Sequence, residues 1–293
     1  MHQNGKAGRL LVVGTPIGNL EDLSPRAKRA LQDSDAIFCE DTRVTAKLAA
    51  RFEIGARRIS CPASREVSRT EELLERLGRG ETVALVSDAG MPALSDPGAR
   101  LVETAAEAGF PVTVIPGPSA PAAALAVSGL PAVPHLFLGF LPARAGERRQ
   151  FLEKLRDRSE TLVWFEAPHR LRESLEAAAE VLGSRRACVA RELTKLHEET
   201  VRGTLPELSA LFGSRGPSRG EVTVVVEGRQ LAESSAQQEV DARIREALAA
   251  GSALKTLSRE IGRRTRRPAR EIYARAMALR ARETGAARRE TGS

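Results

Sequence analysis

Three loops rich in glycine, proline and small polar residues follow apolar runs of this chain. The loops span residues 87–98, 116–120 and 167–170, after the runs Thr82–Val86, Val112–Ile115 and Thr161–Glu166. Such loops bring backbone N–H and C=O groups close to a ligand, and in open α/β sheets ligands lie at the carboxyl ends of strands. With the side chains of Ser87 and Asp88, they predict a site for a neutral or zwitterionic nucleoside.

Other common binding signatures do not occur in the sequence. The Gly5-Lys6 pair precedes an alanine, so there is no Walker A loop. The glycines of 14–18 are spaced wrongly for a dinucleotide-binding turn, in which Pro16 would also remove an N–H donor. The four histidines form no HxxxH pair and no GxSxG elbow is present, which disfavours zinc hydrolases and serine hydrolases.

The composition predicts a cytoplasmic protein that contacts no membrane and holds no metal. No apolar stretch reaches the roughly 18–20 residues that a membrane helix needs. The N-terminal sequence has no apolar core followed by a cleavage site, so we expect no export. Three widely spaced cysteines form no CxxC pair, which disfavours both a disulfide scaffold and a zinc ribbon.

Positive charge is concentrated near the end of the chain. The formal net charge of the 293 residues is +7, and residues 255–289 contain twelve Lys or Arg against three Glu. Such clustering indicates an anionic partner, of which nucleic acid is the usual case. Because aromatic residues make up only 3% of the chain, we expect recognition through the charge and shape of the nucleic-acid backbone rather than base stacking.

Apolar runs alternate with amphipathic ones, which predicts an α/β fold with parallel crossovers in both halves. The predicted strands are 9–14, 36–39, 82–86, 112–115, 136–141, 161–166, 187–191 and 221–227. The predicted helices are 24–32, 71–77, 98–108, 146–155, 171–182 and 205–211.

Proline pairs and polar stretches divide the chain into three predicted domains. Pro131 and Pro134 resist both helix and sheet, which predicts α/β lobes at 1–130 and 131–229. A polar, serine-rich break at 228–237 precedes a basic helical segment at 237–285. Its three helices, 239–248, 253–263 and 269–282, resemble a helix-turn-helix unit.

Six motifs occur in the order found in the tetrapyrrole-methylase superfamily, and they resemble its ribosomal RNA small-subunit methyltransferase I branch. They are Val13-Gly14-Thr15-Pro16-Ile17-Gly18-Asn19-Leu20, Cys39-Glu40-Asp41-Thr42-Arg43, the loop 87–98, Pro116-Gly117-Pro118-Ser119-Ala120, Phe165-Glu166-Ala167-Pro168-His169-Arg170 and Arg191-Glu192-Leu193-Thr194-Lys195. The resemblance covers about residues 9–228. It implies a fold of two α/β/α lobes, a homodimer, and S-adenosylmethionine held in the cleft between the lobes.

The resemblance also implies 2′-O-methylation of a decoding-region cytidine in 16S rRNA, within the small ribosomal subunit. The cofactor-binding residues that it implies are Pro16, Ser87, Asp88, Ala89, Gly90, Pro92, Ser119, Ala120, Phe165, Glu166, Leu193 and Thr194.

A general base would help the ribose hydroxyl to attack, and three residues near the expected cleft are candidates. They are Glu166, Lys195 and His197. Each has an alternative role: Glu166 as a hydrogen-bond partner of the cofactor or between lobes, Lys195 as a phosphate contact, and His197 as a surface residue. A lysine base would need a lowered pKa.

Arginines near the motifs and in the basic segment are the predicted RNA contacts, because guanidinium groups bind phosphate in bidentate fashion. They are Arg43, Arg170, Arg191, Arg263, Arg264, Arg266 and Arg267. Arg43 has the alternative of pairing with Glu40 or Asp41 and fixing a loop.

Two other functions stay open at the level of sequence. A precorrin or uroporphyrinogen methyltransferase would share the fold but leaves the basic segment without a role. A non-catalytic nucleic-acid-binding protein would explain that segment, but would reduce the nucleoside-binding loops to structural turns.

Overall fold

The computed structural model describes residues 8–215, 220–230 and 233–290. The N-terminal residues 1–7 and part of the predicted break at 228–237 lie outside the described residues. The chain divides into two compact units between Arg229 and Gln230. The first unit contains two five-stranded sheets.

The first sheet is parallel throughout. Its strands are β1 (Arg9–Val13), β2 (Ala36–Cys39), β3 (Arg57–Ser60), β4 (Thr82–Val86) and β5 (Val112–Ile115), in the order β3-β2-β4-β1-β5. The helices of this half are α1 (Pro25–Gln32), α2 (Thr42–Phe52), α3 (Thr70–Gly78), α4 (Ala99–Glu107) and α5 (Ala120–Ser128). The Ser24 hydroxyl caps α1 by accepting from the Ala27 N–H at 3.0 Å, and Pro25 follows at the first helical position.

The second sheet is mixed, and one of its strand pairs, joined through a helix, keeps the parallel crossover that was predicted for both halves. Its strands are β6 (His135–Phe140), β7 (Thr161–Glu166), β8 (Arg186–Arg191), β9 (Glu199–Thr204) and β10 (Val222–Val226), in the order β6-β7-β10-β8-β9. Its helices are α6 (Ala145–Glu153), α7 (Leu171–Leu182) and α8 (Leu205–Ser214). Only β6 and β7 pair in parallel, because a short turn reverses the chain between β8 and β9 and β10 is antiparallel to both neighbours.

Helix α5 joins the two sheets. Its Ala124 and Leu125 are buried in one cluster with Val163, Cys188 and Val225 of the second sheet. Burying apolar surface of this kind contributes about 25 cal/mol per Å². The Arg202 guanidinium, on β9, fixes the end of the helix by donating to the Ser128 carbonyl at 3.1 Å. Both sheets thus belong to one compact unit. The division into lobes at 1–130 and 131–229 stays a prediction.

The second unit is described by itself. Its helices are α9 (Glu233–Ala249), α10 (Leu254–Thr265) and α11 (Ala269–Glu290), so the first begins earlier than predicted. Val240, Ile244, Leu257, Ile261 and Ile272 are among the side chains that form its small core. Asp241 accepts two hydrogen bonds from Arg275, at 2.8 and 2.6 Å, which ties α9 to α11.

Candidate active site

A cavity of about 380 Å³ lies between loops of the two sheets in the first unit. This main cavity is within the size range of small-molecule sites. The residues that line it are Ile17, Ala89, Gly90, Met91, Leu94, Asp96, Ser119, Ala120, Pro121, Phe140, Phe165, Glu166, Ala167, Pro168, Gly220, Glu221, Val222 and Thr223. The three loops singled out in the sequence thus meet at one place.

Close backbone packing holds the loops of the first sheet at the main cavity. Thr15 and Gly90, which lie outside the strands, pair through two backbone hydrogen bonds and so form a single antiparallel bridge. The Thr15 N–H donates to the Gly90 carbonyl at 2.9 Å, and the Gly90 N–H donates to the Thr15 carbonyl at 3.2 Å. Gly14 lies against Gly117 so closely that a Cβ atom on Gly14 would stand 2.7 Å from the Gly117 Cα. Glycine is therefore required where the loops that follow β1 and β5 lie against each other.

Aromatic side chains of the second sheet form the apolar wall of the main cavity. The ring of Phe165 lies 5.1 Å from that of Phe137 in an edge-on arrangement and 5.4 Å from that of Phe140. Phe165 and Phe140 both line the cavity. Aromatic surface of this kind suits a flat heterocyclic ring.

Glu166 carries a buried carboxylate in the wall of the main cavity. The residue is 2% exposed. Its Oε1 accepts from the Ala167 N–H at 2.9 Å and pairs with Nη2 of Arg170 at 3.0 Å. No donor among the described residues reaches Oε2, which is also buried. Since an unsatisfied buried acceptor is costly, Oε2 is suited to accept a hydrogen bond from a bound ligand.

Carboxylates make the main cavity and its neighbourhood acidic. Burial raises the pKa of Asp96, and the charges of Asp88 and Glu221 raise it further. Burial likewise raises the pKa of Asp88 and of Glu40. A cationic ligand would relieve this repulsion, so the site is electrostatically suited to a positively charged group.

Three of the predicted cofactor residues line a different, second cavity. This second cavity measures about 170 Å³, and Pro16, Ser87 and Asp88 belong to its wall. The chain turns there so that residues 87 and 88 line the second cavity while Ala89 and Gly90 line the main one. Pro92 is buried and, in the part of the chain that the structure describes, belongs to neither wall.

The segment from Leu193 to His197 is not part of the described wall of the main cavity, so its predicted roles stay predictions. Leu193 is buried in the core around α5. The Thr194 hydroxyl accepts from the Asn19 N–H at 3.1 Å. A Cβ atom on Gly18 would stand 2.5 Å from Cγ of Lys195, so this turn packs against the loop after β1. His197 is exposed.

Lys195 lacks the lowered pKa that a base requires. Burial alone would lower the pKa of its ammonium, but a hydrogen bond to Glu192 at 2.8 Å and the charge of Glu221 outweigh burial and raise it. Glu166 alone of the three candidate bases belongs to the described residues of the wall of the main cavity.

The motif arginines are held by carboxylates. Arg43, whose side chain is 88% exposed, donates to the Asp41 carboxylate at 2.6 Å. This hydrogen bond lowers the pKa of the Asp41 carboxyl to about 2. The loop-fixing alternative for Arg43 is thus present. Arg170 pairs with Glu166, and Arg191 pairs with Glu199 at 2.9 Å.

The predicted arginines of the second unit lie around the end of α10. Arg263, Arg264 and Arg266 are exposed and make no ion pair with the residues that the structure describes. Arg267 is half-buried and pairs with Glu271 at 3.2 Å.

Several lining residues escaped prediction. Asp96 and Met91 lie inside a quoted motif and had no assigned role, whereas Phe140, Val222 and Thr223 lie on strands that carry no motif. Only the pairing of β10 beside β7 brings the last two to the main cavity.

Among the described residues, no helix is long and apolar enough to cross a membrane. The same residues include no group of three or more acidic, histidine or cysteine side chains placed to hold a metal ion.

Curated proteins resemble this chain over most of its length. It is 44% identical over 258 residues to "Ribosomal RNA small subunit methyltransferase I" of Mycobacterium tuberculosis, which covers 87% of this chain and 89% of the relative. A protein of the same name from Thermotoga maritima is 44% identical over 223 residues, which are 76% of this chain and 100% of the relative.

Solved structures share the fold. The methyltransferase CobJ superposes with a TM-score of 0.59 at 20% identity, covering 77% of this chain and 97% of that one. Diphthine synthase superposes with a TM-score of 0.57 at 15% identity, covering 78% and 92%. At these identities the likeness shows the fold alone.

A sequence profile agrees with the motifs. The profile of the tetrapyrrole (corrin/porphyrin) methylases matches residues 9–209. The two-lobed α/β fold and the resemblance stated from the motifs are thereby confirmed, and the non-catalytic alternative loses its support. The chain belongs to the tetrapyrrole methylases and, among them, to the ribosomal RNA small subunit methyltransferase I family.

Proposed function

We propose that this protein transfers a methyl group from S-adenosylmethionine to the 2′-oxygen of a decoding-region cytidine in 16S rRNA, within the small ribosomal subunit. The observation that carries the proposal is 44% identity along nearly the full length of relatives named for methylating small-subunit ribosomal RNA. A tetrapyrrole substrate has no comparable support, because the relevant solved structures share only the fold.

The main cavity suits S-adenosylmethionine in size and chemistry. Phe165 and Phe140 offer an apolar face for the adenine ring. The free Oε2 of Glu166 offers an acceptor for a hydroxyl or ammonium donor. Asp96 and Glu221 supply negative charge for a ligand that carries a sulfonium and an ammonium group. The bound cofactor supplies an electrophilic methyl group.

The residues of the chain contribute mainly alignment. Arg170 and the Ala167 N–H hold Glu166 in one orientation. The bridge between Thr15 and Gly90 fixes the loop that separates the two cavities. Holding donor and acceptor in line in this way can supply roughly 7–11 kcal/mol of the barrier.

A direct test is methyl transfer from labelled S-adenosylmethionine to small ribosomal subunits that lack the modification. We expect label on one cytidine 2′-oxygen, located by nuclease mapping of the RNA. Binding of the cofactor with no label on RNA would overturn the proposed substrate and keep the family assignment.

The second unit is proposed to bind the RNA backbone. Arg263, Arg264 and Arg266 present three exposed charges around one helix end. The 258-residue match extends beyond the length of the first unit, so the Mycobacterium relative shares part of the second.

Replacing Arg263, Arg264 and Arg266 together by glutamine is expected to raise the KM for the subunit about 10-fold. The association constant for the subunit should also depend less steeply on salt concentration. The negative slope of its logarithm against log salt should become smaller in magnitude by about 1 for each phosphate that is no longer neutralised. The cofactor Kd should not change. A control removes the same charge from exposed Arg51, Arg57 and Arg58 of the first unit. Equal effects of the two triple variants would contradict a specific role for the second unit.

A homodimer belongs to the same proposal. Val114 on the edge strand β5 is 53% exposed. An exposed apolar side chain on an edge strand supports a partner on that side.

A further inference from the structure

Helix α4 begins without a cap from its own sequence. Gly98 stands just before the first helical residue and has no side-chain oxygen to offer to the free N–H groups of the first turn. Glycine is nonetheless needed there, because its φ is +127° and a Cβ atom would stand 2.7 Å from Cδ2 of Leu85. A side-chain cap for α4 can therefore come only from another part of the chain.

Glu66 supplies that cap, although it lies 32 residues earlier in the sequence. Its Oε1 accepts from the Gly98 N–H at 2.9 Å and from the Arg100 N–H at 2.6 Å. The carboxylate also lies at the positive end of the helix dipole, where negative charge is favoured. Arg69, one turn after Glu66, donates to the Ser60 carbonyl at the end of β3 at 3.0 Å. The cap thus connects the edge of the first sheet to the start of α4.

The loop 91–97 leads directly into α4 and forms part of the wall of the main cavity. Its Leu94 and Asp96 both line the cavity. Two of its residues that carry a side chain, Ala93 and Ser95, have φ values of +65° and +70°. Such a backbone is strained and persists only where its surroundings hold it. The bridge between the loops after β1 and β4 holds one end of this loop, and the cap on α4 holds the other.

We propose that Glu66 is a positioning residue of the cofactor site. By capping α4 it fixes the end of the loop 91–97, and so keeps the Asp96 carboxylate in the wall of the main cavity, where it supplies negative charge for the cationic groups of S-adenosylmethionine. Glu66 is not part of the described wall of that cavity, so it acts through the loop. The inference rests on the proposed function and deepens it, because it assigns a part in cofactor binding to a residue outside the site.

The test compares two substitutions of Glu66 by isothermal titration with S-adenosylmethionine. Glu66→Ala removes both hydrogen bonds to the start of α4. We expect its Kd to rise about 10-fold, because the apparent affinity falls with the fraction of molecules whose loop keeps the binding conformation. Glu66→Gln keeps an oxygen that can accept from the same two N–H groups, so we expect its Kd within about 3-fold of the original.

Glu207 provides the matched control, because its carboxylate caps another helix. Its Oε2 accepts from the Thr204 N–H at 2.8 Å at the start of α8, and α8 contributes no residue to the described wall of the main cavity. Glu207→Ala should lower the Tm and leave the Kd for the cofactor unchanged. An equal rise in Kd for Glu66→Ala and Glu207→Ala would indicate a general loss of stability and would overturn the inference.

A double substitution asks whether Glu66 acts through Asp96. Asp96→Asn removes the negative charge from the cavity wall, and we expect it alone to raise the Kd. If Glu66 serves to hold Asp96 in place, adding Glu66→Ala to Asp96→Asn raises the Kd by clearly less than the effect of Glu66→Ala in the unchanged protein. Multiplicative effects of the two substitutions would overturn the inference.

The remaining outcomes also decide the matter. A Glu66→Gln variant that binds as weakly as Glu66→Ala overturns the inference, because the charge of Glu66 and not its cap would then act on the cofactor. A Kd for Glu66→Ala within about 2-fold of the original overturns it and leaves the proposed function standing. If the unchanged protein does not bind S-adenosylmethionine, the proposed function fails and takes this inference with it.

Discussion

A valine at position 90 is expected to raise the Kd for S-adenosylmethionine about 100-fold or more. Gly90 lines the main cavity with a φ of +81°, where a β-branched side chain is strongly disfavoured. A Cβ atom there would stand 3.4 Å from Ile17 and 3.6 Å from the Pro118 carbonyl, and the two further methyl groups have to enter space beside the cavity. Isothermal titration of the folded variant measures the effect.

Gly109 provides the matched control. Its φ is +79°, and a Cβ atom added there meets nothing within 4 Å. Gly109→Val therefore carries the same backbone strain at a position outside the main cavity. We expect the control to lose stability and to keep its cofactor affinity. A normal Kd in a folded Gly90→Val protein would show that the cofactor binds elsewhere.

Replacing Glu166 by glutamine is expected to weaken cofactor binding about 10- to 100-fold. The amide oxygen can remain with the Ala167 N–H and Arg170, which places the NH₂ group where Oε2 now stands. A donor of the cofactor would then face another donor, and the negative charge would be lost. The Kd by titration and the Tm of the free protein separate binding from folding.

Glu227 is the corresponding control in the same sheet. It is 7% exposed, pairs with Arg186 at 3.7 Å and belongs to neither cavity wall. Glu227→Gln should lower the Tm and leave the Kd for the cofactor unchanged. If both variants bind the cofactor as the unchanged protein does, Oε2 of Glu166 is not a ligand contact.

Much of both sheets was predictable because most of their strands are short apolar runs bounded by polar residues, Gly or Pro. The predicted limits of β2, β4, β5 and β7 match the structure. The edge strands β3 and β9 were missed because their sequences, RRIS and ETVRGT, mix charged with apolar residues. An edge strand needs fewer buried side chains, so periodicity identifies it poorly.

The sequence predicted the loops of the site better than the pairing that completes it. Gly90, Ser119 and Glu166 lie in motifs and do line the main cavity. Phe140, Val222 and Thr223 reach it through sheet order alone, and no local pattern encodes that β10 lies between β7 and β8. Leu193 is the opposite case, since its motif position suggested a ligand contact while its side chain fills the core around α5.

The position of β10 in the second sheet also constrains how the protein matures on the ribosome. This strand is the last of the sheet to be synthesised, yet it pairs with both β7 and β8. Until residue 226 has left the exit tunnel, β6–β7 and β8–β9 remain two separate pairs with unsatisfied inner edges. The nascent chain thus acquires its ligand cavity late, after most of both sheets has been made.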